Sequence, residues 1–286
     1  MHIEVLLGGW DQYELLDSGD RRKLERFGDV VVVRGEPRAW WAPALPQARW
    51  DKAVAVHDEK SWTMRPGAPR EWVLPLGELR LLARFTETSK HLGVFPEQWP
   101  HWMALAAHGA PLAGRRPRLL NLFGYTGVAS LAAARAGFEV THIDASRTAL
   151  NWARRNQELS GLGDTNIRFL LDDAAKFTTR ELRRANRYEA ILLDPPAFGR
   201  GPAKELWKVE AQVADLLATC GQLLSDDARL VILTMYNTDA SALMLRNLML
   251  GAMPGAGGTL DVGELALAHS ASPRLLPRSL WARWTP

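Results

Sequence analysis

The chain has 286 residues, 47% of them hydrophobic and 23% charged. This ordinary globular balance excludes a disordered chain, a coiled coil and a collagen-like repeat. No apolar run approaches the roughly 20 residues that a membrane span needs. The opening Met1-His2-Ile3-Glu4-Val5-Leu6-Leu7 has no basic region ahead of its apolar stretch, so a signal peptide is not expected. One cysteine, Cys220, excludes an internal disulfide and a Cys-rich zinc site. A cytoplasmic protein with no membrane partner and no metal is the expectation. The net charge is +3, with 14 Lys/Arg against 15 Asp/Glu in residues 1–102 and 21 against 17 in residues 103–286. That is no polybasic arm, and an RNA partner would have to meet local patches. Candidates are Arg115, Arg116 and Arg118, or Arg180, Arg183, Arg184 and Arg187.

In chain order, Tyr13-Glu14-Leu15-Leu16-Asp17 alternates with period two and Ser18-Gly19-Asp20 supplies a turn. Asp29 to Arg34 is the clearest early strand, and Glu71 to Pro75 and Glu78 to Phe85 read as two more joined near Gly77. Eight of the 12 tryptophans lie before residue 103, where they suit core and hairpin packing. Residues 1–88 therefore read as a small antiparallel β-rich domain, and residues 89–286 as a second domain.

From about residue 101 strand-like runs alternate with helical ones. Arg118 to Phe123 is a strand, Gly124-Tyr125-Thr126-Gly127 a turn, and Val128 to Ala136 a helix stopped by Gly137. Phe138 to Asp144 is a strand, followed by a helix from Ala145 to Ser160 that starts near Ala145 or Ser146. Asn166 to Leu171, Tyr188 to Leu193 and Arg229 to Met235 are further strands, with a helix from Val209 to Leu224 ahead of the last. The alternation predicts a mainly parallel sheet covered by helices on both faces. Thr259 to Leu267 and Leu280 to Trp284 are expected to pair as a terminal antiparallel hairpin.

The first crossover carries a cofactor signature. A strand ends in a Gly-rich turn and a helix begins at once, which offers unpaired N–H groups to a ligand. Gly124 and Gly127 read as positions where the backbone approaches that ligand. Asp144, at the tip of the second strand, can accept two hydrogen bonds from a ribose diol. The third strand ends in Asp172-Asp173-Ala174, a place for an acid beside an adenine amino group. The fourth ends in Asp194-Pro195-Pro196-Ala197-Phe198. Two prolines there cannot continue a ladder or readily start a helix, and their carbonyls are expected to face the crevice.

At these residues the chain resembles the class I S-adenosylmethionine-dependent methyltransferases, most of all the branch that holds the large-subunit ribosomal RNA methyltransferases for cytosine C5 and guanine N7. The resemblance covers roughly residues 85–250. It rests on Lys90-His91-Leu92-Gly93-Val94-Phe95-Pro96-Glu97-Gln98, Asn121-Leu122-Phe123-Gly124-Tyr125-Thr126-Gly127, Asp144-Ala145-Ser146, Asp172-Asp173 and Asp194 to Phe198. It implies a Rossmann-like fold with a mainly parallel seven-stranded sheet. It implies S-adenosylmethionine as cofactor, its ribose on Asp144 and its adenine on Asp173, with Phe95, Gln98, Phe123, Gly124, Tyr125, Thr126, Gly127, Ala145, Ser146, Asp172 and Asp194 around it. Asp194, Pro195 and Phe198 would be catalytic, and Tyr236 or Asn237 would close the acceptor side. Lys90 and His91 are candidates for phosphate or acceptor contact. A homodimer is expected by analogy with relatives of this fold.

The sequence departs from the cytosine-C5 members, which carry a nucleophilic Cys just after the fifth strand. Here that stretch is Thr234-Met235-Tyr236-Asn237, and Cys220 lies earlier, on an apolar helix face. An RNA base methyltransferase acting at a nitrogen is the expected function, and ribosomal RNA the expected partner. The alternative is a methyltransferase for a protein or a small molecule. A third class, cofactor binding without catalysis, conflicts with the intact Asp194-Pro195-Pro196.

Overall fold

The computed structural model describes residues 2–58, 60–87, 89–112, 114–163, 167–236, 238–253 and 257–286. Asn166 and Asn237, named above, lie outside the described residues. The chain divides into two compact units, one of residues 1–6, 101–265 and 279–286, the other of residues 7–100 and 266–278. The expected division after residue 88 differs from this at both ends, and side-chain chemistry explains why. Arg278 pairs with Glu97 at 3.1 Å and with Glu36, and buried Leu267 and Leu276 pack with Leu15 and Ala39. These contacts tie residues 89–100 and 266–278 into the Trp-rich unit.

In chain order the first strands are β1 (Ile3–Leu7), β2 (Tyr13–Gly19), β3 (Arg22–Phe27) and β4 (Val30–Gly35). Helix α1 (Gln47–Trp50) follows, then β5 (Ala55–His57), β6 (Trp62–Met64), β7 (Glu71–Leu76) and β8 (Leu79–Arg84). Strands β2 to β6 form one sheet in sequential order, and β7 and β8 pair on their own. The pairing is not wholly antiparallel, because β4 and β5 run parallel. The tryptophans bind this unit through their indole N–H groups. Trp10 donates to the Pro75 carbonyl at 2.9 Å, Trp62 to Ser89 at 3.0 Å and Trp72 to Phe27 at 3.0 Å. Each ring thus buries apolar area while satisfying its single donor. Trp40 differs only in burial, at 82% exposed, and its indole N–H donates to the Pro37 carbonyl at 2.8 Å.

Strand β3 has four charged residues in six, yet Lys23 and Glu25 on it are buried. Glu25 accepts two hydrogen bonds from Arg34, both 2.7 Å, and one from the Tyr13 hydroxyl at 2.9 Å, with Lys23 at 3.2 Å. Burial pushes the Glu25 carboxyl up, but the charges of Arg34 and Lys23 outweigh it and hold the group down at about 2. Its contribution to stability is complete above the ordinary carboxylate range and is lost as pH falls toward that value. Glu25→Gln strands two buried cations, so a loss of about 3–5 kcal/mol is expected by chemical denaturation. The acid limb of the stability profile should flatten in the variant. A loss under about 1 kcal/mol would mean that the network is solvated and cheap to break.

A 3-10 turn (Pro96–Gln98) ends the first stretch of the smaller unit, and the chain passes through α2 (Trp99–Ala107) into the larger one, with β9 (Arg118–Leu122), α3 (Val128–Ala136), β10 (Glu139–Asp144) and α4 (Arg147–Leu159). Next come β11 (Ile167–Leu171), α5 (Ala174–Arg183), β12 (Ala190–Leu193), β13 (Phe198–Arg200), β14 (Leu206–Lys208) and α6 (Val209–Gln222). It closes with β15 (Leu230–Met235), α7 (Ala242–Ala252), β16 (Thr259–Ala268) and β17 (Leu275–Thr285). Eight strands form its sheet in the order β1-β16-β17-β15-β12-β9-β10-β11. Seven are the expected ones. The eighth is β1, so the N-terminal strand belongs to this sheet and not to the small β-rich unit. Pairs β9–β10, β10–β11, β9–β12 and β12–β15 are parallel, and β15–β17 is antiparallel.

The central strands are buried on both faces, which is why they read as unbroken apolar runs. Period two sorts their side chains. Leu120, Leu122, Ile191, Leu193, Val231 and Leu233 enter one core cluster, while Leu119, Ala190, Leu192, Leu230 and Ile232 enter another. Strand order reverses between β9 and β12, and in such sheets the crevice beyond the strand ends at that point is the ligand site.

Candidate active site

The loop between β9 and α3 holds an unusual backbone. Phe123 and Tyr125 have φ of 59° and 49°, in the left-handed region that non-glycine residues seldom occupy. Gly124 and Gly127 each have a packing reason to be glycine as well. A Cβ on Gly124 would lie 2.3 Å from the His142 ring. Gly127 caps α3 at φ 82°, with Ala153 3.0 Å from where its Cβ would be. His142 is fully buried and burial holds it neutral, at about 3. Ser130 Oγ accepts from Asn121 Nδ2 at 2.8 Å and shares a hydrogen bond with His142 Nδ1 at 2.9 Å. The buried chain Asn121–Ser130–His142 thus supports the loop from beneath. Gly124→Ala should cost about 1–3 kcal/mol by overpacking. In a His142→Ala background the cost should shrink, and equal costs in both backgrounds would place the strain elsewhere.

Asp144 ends β10. Its Oδ2 accepts from the Tyr125 N–H at 2.8 Å and its Oδ1 from the Ser146 N–H at 2.7 Å. Burial raises its pKa, and those two N–H groups offset part of the rise. Each oxygen has a second lone pair, so the carboxylate can also take a vicinal diol. Ser146 caps α4, accepting from Ala149 N–H at 3.2 Å, so the helix begins at Arg147 and not at Ala145. The Thr126 carbonyl is held by Asn156 Nδ2 at 3.0 Å, a partner the sequence pattern does not reveal.

Both acids after β11 have structural work. Asp173 caps α5 through Lys176 N–H at 2.9 Å, and Asp172 pairs with Arg180. Asp173 Oδ2 still faces the segment at Gly201, where an added Cβ would stand 3.1 Å from it.

At the end of β12, Asp194 Oδ1 accepts a hydrogen bond from Thr234 Oγ1 on β15. Pro195 is buried and Pro196 exposed. The expectation that both proline carbonyls face the crevice needs correction, because the Pro196 carbonyl is taken by the Trp207 indole N–H at 2.8 Å. Trp207 was not legible from sequence. It sits on β14, packs against Phe123 with ring centroids 5.0 Å apart, and is 5% exposed. The chain after the two prolines forms the β13–β14 hairpin, and Phe198 on it is 56% exposed.

Phe123, Asp144, Ala145, Asp172, Asp173, Pro196 and Trp207 line one cleft, with Ile143, Ala174 and Gly199 to Gly201 completing it. Carboxylates at two neighbouring strand ends, apolar walls and a helix N-terminus are groups that could hold an adenosine. Phe95 and Gln98 belong to the other compact unit, Gln98 buried and Phe95 packed on His91 at 5.0 Å between centroids. Lys90 and His91 lie there too, with Lys90 Nζ donating to the Gly35 carbonyl at 2.9 Å. Tyr236 follows β15 and is half-buried. Cys220 is buried in α6 within the core cluster, and burial pushes its thiol pKa well up.

Residues 103–235 match the family model of S-adenosylmethionine-dependent methyltransferases. A crystal structure of the S-adenosylmethionine-dependent methyltransferase from Agrobacterium tumefaciens is 42% identical, with a TM-score of 0.93 over 99% of this chain and 93% of that one. The chain belongs to the S-adenosylmethionine-dependent methyltransferases.

S-adenosylmethionine is therefore its cofactor, and the donor set at the cleft fits it. Two ribosomal RNA enzymes are also similar. The large subunit methyltransferase K/L of Shewanella frigidimarina (strain NCIMB 400) is 37% identical over 115 residues, 40% of this chain and 16% of that protein. The large subunit methyltransferase I of Aeromonas salmonicida (strain A449) is 39% identical over 90 residues, 31% of this chain and 23% of that protein. The chain thus matches less than a quarter of the length of either. No helix among the described residues is long and apolar enough to cross a membrane.

Proposed function

We propose that this methyltransferase acts on a base of ribosomal RNA, at a nitrogen and not at cytosine C5. The observation that carries the nitrogen is the turn at Asp194. Thr234 orients the Asp194 carboxylate, and Trp207 occupies the Pro196 carbonyl. Asp194 and the Pro195 carbonyl would then accept the two N–H bonds of an amino group, which turns its lone pair outward along the line of attack. S-adenosylmethionine supplies a methyl group already activated on sulfur, so alignment and exclusion of water are what the chain must add. Asp144 would hold the ribose diol, Asp173 the adenine amino group, and Phe123 and Trp207 the faces between them. Phe198, exposed on the hairpin that follows the turn, would stack on a base next to the one flipped from its helix.

Attack by a pyrimidine C5 would need a thiolate to add to the ring first. Cys220 is fully buried with a raised pKa, and such a thiol is inert. The names of the similar Shewanella and Aeromonas proteins support ribosomal RNA as the acceptor. Mass mapping of modified nucleosides in ribosomal RNA from a deletion strain tests the whole reading. One N-methylated base should vanish and return on complementation. Loss of 5-methylcytosine would overturn the nitrogen, and an unchanged map would overturn ribosomal RNA in favour of a protein or small-molecule acceptor.

A further inference from the structure

We propose that the outward face of the β13–β14 hairpin is the docking surface for the single-stranded RNA flanking the target nucleotide. This rests on reading the protein as an RNA base methyltransferase. The register pairs Phe198 with Lys208, Gly199 with Trp207 and Arg200 with Leu206. The middle pair turns inward, with Trp207 buried against Phe123 and bonded to Pro196. Period two sends the outer pairs the other way. Phe198 is 56% and Leu206 49% exposed, and Arg200 and Lys208 beside them are exposed as well. Lys204, at the tip, is exposed too.

A hairpin that only covered a cleft would be expected to carry small polar residues outward. This one carries an aromatic ring, an aliphatic side chain and three cations. The acid within it, Glu205, does not offset them outward. Its carboxylate is turned onto Lys176 at 2.6 Å and accepts the Ala203 N–H at 2.8 Å. Three arginines of the patches elsewhere in this unit are spent on acids. Arg115 pairs with Glu189 and Asp227, Arg180 with Asp172, and Arg184 with Glu181. Cations interleaved with an exposed ring suit a polyanion that offers flat bases, which is a single strand of nucleic acid. The hairpin leaves the Asp194-Pro195-Pro196 turn directly, so the neighbours of a base held at that turn lie over this face.

The test uses Lys204→Gln with Lys208→Gln, two exposed side chains that are not among the residues lining the cleft. Binding of a labelled single-stranded oligouridylate is followed across salt, alongside S-adenosylmethionine affinity and the KM for ribosomal RNA from a deletion strain. The slope of log K on log salt should become shallower by about 1.4, at about 0.7 per phosphate contact. The KM for RNA should rise while kcat and S-adenosylmethionine affinity hold. An unchanged slope and KM in a wild type that methylates RNA would overturn the surface and leave the functional reading standing. So would a slope that falls only on Arg183→Gln with Arg187→Gln. A wild type that neither binds nor methylates RNA would overturn both.

Discussion

Asp194→Ala should abolish methyl transfer, with kcat falling on the order of 10²- to 10³-fold, while Cys220→Ala keeps most of the activity. The first magnitude is that of removing one preorganised hydrogen-bonding group from a transition state. Asp194 holds no position in the core, and its backbone N–H bond to Leu122 is unaffected by the change. Its loss should therefore leave the fold and S-adenosylmethionine affinity near their wild-type values. Thr234→Val should show a smaller fall of the same kind, because the carboxylate remains but loses the hydroxyl that orients it. Cys220 is fully buried among core side chains, so its truncation removes one sulfur from packing and costs stability before activity. A dead Cys220→Ala together with an active Asp194→Ala would reverse the assignment and point to covalent chemistry at carbon.

Asp144→Ala should weaken S-adenosylmethionine binding by roughly ten- to a hundredfold, or about 1.5–3 kcal/mol, as calorimetry reads it. The two ribose hydroxyls would lose a charged acceptor in a half-buried site, and the Tyr125 and Ser146 N–H groups would lose theirs. The pH dependence follows from the same geometry. Burial raises the Asp144 pKa, so the carboxylate takes up its proton at a higher pH than an exposed aspartate. Affinity for S-adenosylmethionine should fall on acidification through that raised value, and the limb should be absent in Asp144→Asn. Unchanged affinity in Asp144→Ala would remove the residue from the cofactor site, and a wild-type profile flat into the acid range would contradict its burial.

The α/β half of the protein was readable because its signals are local. Strands buried on both faces leave apolar runs of the right length, and Gly137 ends α3 at φ 114° where its sequence position suggested. The bounds of α3 agree with the residues, β9 to β12, β15 and β16 differ from expectation by one or two at their ends, and β17 begins five residues ahead of the expected Leu280. The motif acids after β10, β11 and β12 fall at strand ends for the same reason. A parallel sheet places the C-terminal tips of its strands on one side, so acids read as strand-terminal converge without further information.

What stayed hidden depends on partners far away in the chain. Trp207 gained its role only when β14 folded back to bring its indole onto the Pro196 carbonyl. Gly124 read as a ligand contact, and its second constraint, His142 beneath it, comes only from the neighbouring strand. Strand β3 was missed because Arg22-Lys23-Leu24-Glu25-Arg26-Phe27 carries the composition of a solvated surface. Its burial depends on Arg34 and Tyr13 on adjacent strands, and Glu36 near them meets Arg278 from the other end of the chain. Strand β1 is a short apolar run, and nothing in it names β16 as its neighbour. Period, punctuation and motif order are properties of contiguous residues, so the sequence alone determined the fold class, the cofactor and the strand-end acids. Strand edges, buried charges and close backbone approaches are satisfied by residues that only the folded chain makes adjacent. The tertiary structure therefore decided which carbonyl of the Pro-Pro turn is occupied, why each loop glycine is a glycine, and which residues each unit contains.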